Sequence, residues 1–123
     1  MRKLLAASVL CCIMASSAFA ELRTTGRGET LRFEPKDFPP NMKANYEIFK
    51  ARCTKCHSQQ RIVISFLSGR MPNSGQSFDM DSEKTLAFRM YRKSMGKKET
   101  VIPKDDMKSI HVLLKYMLEE AAR

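Results

Sequence analysis

Apolar side chains at Met42, Tyr46, Phe49 and Cys53 recur at steps of four, three and four, the repeat of one helical stripe. Ala44, Ile48 and Ala51 broaden that stripe, and Pro39-Pro40 sets the start of the helix near Asn41. A second stripe runs through Ala87, Phe88, Tyr91 and Met95, with Leu86 and Met90 flanking. Ser82 or Asp81 is its expected N-cap and Gly96 its stop. A third joins Met107, Ile110, Leu114, Met117, Leu118 and Ala121. Pro103 lies near the first turn of that helix, and Asp105 and Asp106 face the positive end of its dipole. Between the first two helices, "RIVISFLSGRMPNSGQSFDMD" predicts a short ordered segment that passes into a loop around residues 68–77. There is no βαβ alternation and no internal repeat, so the expectation is an all-α fold of three main helices.

The pattern changes at the N-terminus. Arg2 and Lys3 precede "LLAASVLCCIMASSAFA", an apolar run that closes on Ala18-Phe19-Ala20. A short positive segment, an apolar core and an A-x-A ending describe a secretory signal, with cleavage expected before Glu21. The run is short for a membrane anchor. Leu10 stands before Cys11-Cys12 where a lipoprotein signal wants a small residue, so both cysteines are expected to leave with the signal. Residues 21–40, "ELRTTGRGETLRFEPKDFPP", are polar and rich in glycine and proline. They read as an extended N-terminal arm with a short strand at residues 30–33, ahead of a single domain over residues 41–123.

Charge sharpens the picture. The 123 residues hold 22 Lys and Arg against 13 Asp and Glu. Removing residues 1–20 leaves 103 residues with 20 basic and 13 acidic side chains, a net charge of +7. Such a surface favours acidic partners. Export and the lack of a nucleic-acid motif argue against nucleic acid, and no second stretch approaches transmembrane length. The expected product is a soluble periplasmic monomer, small enough to need a staple, metal or cofactor.

The candidate chemistry is concentrated in Cys53-Thr54-Lys55-Cys56-His57, a Cys-x-x-Cys-His sequence. In an exported chain this spacing reads as covalent c-type haem attachment. Two thiols one helical turn apart can add to the two haem vinyl groups, and the adjacent imidazole then lies beneath the iron as proximal ligand. A redox disulfide would want a thioredoxin-like βαβ setting. A zinc site of Cys53, Cys56, His57 and His111 would use an adjacent Cys and His that chelate one metal awkwardly.

With "NYEIFKARCTKCH" leading into the motif and "DDMKSIHVLLKYML" near the end, residues 41–120 resemble the class I monohaem bacterial c-type cytochromes. Phe49 four residues before Cys53 and Tyr116-Met117 on the last helix carry the likeness, and "CHSQQRI" is similar to monohaem carriers of metal-respiring anaerobes. The resemblance implies a small cytochrome c-like fold around one covalently bound haem c. It also implies single-electron transfer between redox proteins rather than enzymatic turnover. The chain departs from the family in having no glycine where the first and last helices often cross, which leaves that crossing open.

The family's usual distal ligand is a methionine between the middle and last helices, and six methionines follow the motif. Met107 and Met117 lie on an apolar stripe and read as packing, and Met80 as loop. Met95, beside Gly96 and seven residues before Ile102, is the expected ligand, with Met90 as runner-up. Met71, in a Gly-Ser loop, and His111, on the last helix, are further alternatives; His111 would make the iron bis-histidine. Arg89, Arg92, Lys93, Lys97 and Lys98 are expected to ring the haem edge and steer acidic redox partners. Arg61 or Arg70 is expected to pair with haem propionates. The rival function is a haem-based small-ligand binder or sensor with a weak or absent sixth ligand. A small peroxidase is disfavoured, because His111 is the one histidine left to act as distal acid–base.

Overall fold

The computed structural model describes residues 22–122, so the expected signal at residues 1–20 and its cleavage before Glu21 lie outside the described residues. The described chain is mostly helical, with a small two-stranded sheet. β1 (Thr24–Thr25) pairs antiparallel with β2 (Arg32–Phe33), Thr24 opposite Phe33 and Thr25 opposite Arg32. Four helices follow: α1 (Pro40–Cys53), α2 (Gln60–Ser68), α3 (Met80–Ser94) and α4 (Lys104–Ala121). No helix among the described residues is long and apolar enough to cross a membrane.

α1 begins where the two prolines place it. Pro40 takes the first helical position, where a missing N–H costs nothing, and Lys50 and Arg52 sit in the last turn against the negative end of the dipole. Its stripe buries Met42, Tyr46 and Phe49. The largest helix interface is that of α1 with α4. Neither helix contains a glycine, so full-size side chains space them apart. Arg52 Nε and Asp106 Oδ2 close the contact at 2.7 Å, one residue before the first motif cysteine.

Four expectations need correction. The segment after the motif is a fourth helix. The β-branched run Ile62-Val63-Ile64 favours a strand locally. Val63 and Phe66, three residues apart, bury one helical face instead, and that burial outweighs propensity. Gly69, at φ 65°, ends α2 in the left-handed region that glycine adopts without strain. The N-cap of α3 is Asp79, not Ser82 or Asp81: its carboxylate accepts the Asp81 and Ser82 backbone N–H groups at 3.1 and 2.9 Å. Met80 is therefore the first residue of the helix and not part of a loop. The buried face of α4 is also wider than its stripe. Leu113 and Glu120 are buried, whereas Met107 and Leu118 are half-buried and Ala121 is exposed.

The N-terminal arm supplies part of the core. Leu22, Phe33 and Phe38 join the main apolar cluster, and Phe33 is fully buried. Its ring meets Phe66 edge-on at 5.2 Å and Phe49 at 6.4 Å between centroids, so it touches both α1 and α2. Phe38 packs edge-on against Tyr116 of α4 at 5.4 Å. The backbone of β2 is also held: the Tyr46 hydroxyl donates to the Phe33 carbonyl at 2.9 Å, and the Phe33 N–H donates to Gln59 Oε1 at 3.2 Å. Phe33→Ala is expected to destabilise the fold by about 3–5 kcal/mol in urea unfolding, the range for truncating a buried aromatic. Lys36→Ala, at an exposed position of the same arm, is expected to stay within about 0.5 kcal/mol of the parent. Equal effects of the two changes would mean that the arm is not part of the core.

Candidate functional site

The five motif residues span the end of α1 and the turn that follows. Cys53 is the last residue of α1, and Thr54 hydrogen-bonds the Lys50 carbonyl, satisfying one of the acceptors a helix end leaves open. Residues 54–56 form a turn, so the two cysteines are presented about one helical turn apart. Both are free thiols. Cys53 is half-buried against the core, and burial, assisted by the neighbouring Cys56, pushes its thiol up to about 11. It therefore stays protonated near neutral pH, unlike the depressed thiol of a disulfide exchanger. Cys56 and His57 lie exposed at the surface.

His57 has one nitrogen committed. Its Nδ1 lies 2.8 Å from the Ser58 carbonyl oxygen, which can only accept, so Nδ1 carries the proton. In the neutral ring the lone pair is then on Nε2, the atom left to bind a metal. Lys55 Nζ donates to the Glu99 carbonyl at 3.2 Å, which draws the motif turn against residues 98–100, just beyond α3. Gln59, two residues on, is buried.

Met95 caps the C-terminal end of α3 and is 52% exposed, the most open methionine beyond the motif among the described residues. Its thioether is thus not spent on packing. Met90 is half-buried in mid-α3. Met71 is half-buried against the core, and its backbone is pinned by hydrogen bonds to Gln76 and Gly75 at 2.7 and 3.1 Å. Met117 is fully buried, as its place on the α4 stripe implies. Arg89, Arg92, Lys93, Lys97 and Lys98 are all exposed at the α3 end and the segment after it, Arg92 lying 5.9 Å over the Phe88 ring. Arg70 is turned to the Gly75 carbonyl at 3.3 Å, and Arg61 is exposed on α2.

His111 is occupied elsewhere. Its Nδ1 lies 3.0 Å from Oε1 of Glu83, a carboxylate fully buried on α3. Among the described residues no group of three or more His, Cys, Asp or Glu side chains is arranged to hold a metal ion, so Cys53, Cys56, His57 and His111 do not converge. Glu83 is a residue that stripe reading passes over. It stands four before Ala87 on the buried side of α3, where a lone charge in the apolar register was the available signal. Its second oxygen, Oε2, has no hydrogen-bond partner. Glu120 on α4 is buried as well.

No family model, no curated protein and no solved structure matches this chain. The site therefore rests on its own geometry.

Burial holds the Glu83 carboxyl above its ordinary value of 4.5, while the His111 hydrogen bond, the His111 charge and the Lys84 charge pull the other way. The folded chain thus keeps a proton that the unfolded chain gives up, so this group's stabilising effect is full below 4.5 and is lost as pH rises through the folded value. Urea unfolding from acid to neutral pH is expected to show that decline. Glu83→Gln, which cannot titrate, is expected to flatten it; an unchanged slope would mean that Glu83 does not titrate in this range.

Proposed function

We propose that the chain is an exported monohaem c-type cytochrome that carries single electrons between redox proteins. The observation that carries the reading is the state of the Cys-x-x-Cys-His turn: two free thiols at a helix end and an imidazole whose Nδ1–H is committed to a carbonyl. Haem, when bound there, supplies an iron that cycles between Fe(III) and Fe(II). Cys53 and Cys56 would hold it by thioethers, each sulfur and its hydrogen adding across one vinyl group. His57 would bind its iron through Nε2, and the exposed thioether of Met95 would supply a second protein ligand. The small helical fold is then a cytochrome c-like one. Ile64 and Leu67 on α2 and Phe88 on α3 are exposed large apolar side chains, the kind of surface that a bound macrocycle or a partner would take out of water.

The reading is tested by producing the full precursor in a host that exports and attaches haem. The protein is expected to keep haem on a denaturing gel, and Cys53→Ala with Cys56→Ala to lose it. The oxidised protein is expected to be low-spin, with a weak band at the red end of the visible spectrum from methionine–iron ligation. Met95→Ala is expected to abolish the band and Met90→Ala to leave it. Loss with Met90→Ala alone would move the ligand to Met90. A low-spin spectrum without the band would favour His111, and a high-spin protein that binds CO rapidly would replace the carrier with a ligand binder.

The exposed cations at the α3 end suit an acidic docking surface on the partner, held in a short-lived complex. Electron transfer to an acidic redox protein is expected to slow steeply as salt rises, because exposed charges are screened over about 10 Å at 0.1 M ionic strength. Reversing Lys93 and Lys97 to Glu is expected to remove most of that salt dependence in stopped-flow measurements. A salt-independent rate would place docking elsewhere.

A further inference from the structure

We propose that Gln59 is a positioning residue for His57, and that through it the N-terminal arm helps to set the imidazole. The inference rests on the haem reading for its redox consequence but not for its geometry. His57 is exposed, and its ring is held by the hydrogen bond from Nδ1 to the Ser58 carbonyl. That carbonyl belongs to the planar peptide joining Ser58 to Gln59, so its direction follows the placement of Gln59.

Gln59 is held on every side. Its Oε1 accepts the Phe33 N–H at 3.2 Å, its Nε2 donates to the Tyr46 hydroxyl at 3.1 Å, and that hydroxyl donates to the Phe33 carbonyl at 2.9 Å. The three residues close a buried ring in which each donor meets an acceptor. The Gln59 carbonyl also accepts the Val63 N–H at 3.0 Å, fixing the start of α2. Side chain and backbone together leave the Ser58–Gln59 peptide little freedom, and the imidazole inherits that order.

A ligating imidazole that donates Nδ1–H to a well-placed acceptor is a more basic ligand, and it stabilises Fe(III). Gln59→Leu keeps the bulk and removes the ring. In the reduced, haem-loaded protein it is expected to speed exchange of the His57 Nδ1 proton with solvent, because the acceptor that holds that proton is less well placed. It is also expected to shift the midpoint potential upward. Tyr46→Phe, which keeps the Phe33–Gln59 bond, guards against failure of Gln59→Leu to fold, and is expected to move both readouts the same way by less. Leu113→Val removes core volume but no hydrogen bond, and is expected to lower the melting temperature while leaving both readouts alone.

Lowered melting temperatures in both ring variants with wild-type exchange and potential would overturn the proposal and leave Gln59 a structural residue. If the wild-type chain takes up no haem, the electron-carrier reading falls. The share of the Nδ1–H tautomer at His57, read from ring nitrogen shifts in wild type and Gln59→Leu, then decides the positioning role by itself.

Discussion

The hydrogen-bonded ring of Phe33, Tyr46 and Gln59 is the junction on which the described fold turns. It brings a strand of the arm, the middle of α1 and the residue before α2 to one buried point. A buried polar group without a partner costs about 1–3 kcal/mol, so the ring must close completely to be tolerated. Aromatic packing seals it: Tyr46 stacks on Phe49 at 5.9 Å, and Phe33 meets Phe49 and Phe66. The arm is thereby fixed by directional bonds as well as by apolar burial.

A second constraint operates at the other face of the core, where α3 meets α4. Glu83 is fully buried beside a partly exposed His111, with one carboxylate oxygen satisfied and the other not. Such an arrangement resists ionisation, because burial disfavours the charged carboxylate more than the His111 contact and Lys84 favour it. The same contact occupies His111 Nδ1, while Met95 stands open at the end of α3.

Legibility in the sequence followed the range of the interactions. The motif is five contiguous residues, so its chemistry could be read without a fold. α1 and α4 could be read because their buried positions repeat at helical spacing. α2 could not, because Ile62, Val63 and Ile64 favour a strand locally and only the core contacts of Val63 and Phe66 decide otherwise. Leu31 and Phe33 alternate as a strand would, but a two-residue pattern in a polar stretch does not tell that Phe33 is fully buried. Gln59 looks like an ordinary surface amide, since its partners lie 13 and 26 residues away. Glu83 and Leu113 escape a stripe drawn for one contact surface, which is too narrow for helices packed on several sides. Asp79 does not stand out as the cap, because Asp81 and Ser82 are equally good capping types.

The ion pair between Arg52 and Asp106 spans 54 positions in the chain. Closing a loop of that length costs entropy before any contact repays it, and the cost grows with length. The arm's bonds to Tyr46 and Gln59 span half that separation or less. A chain delivered from its N-terminus therefore offers Cys53, Cys56 and His57 while α4 has yet to arrive and the apolar face of α1 is uncovered. In terms of timing, the turn is accessible first and braced last, by a helix whose first turn anchors beside the residue preceding Cys53.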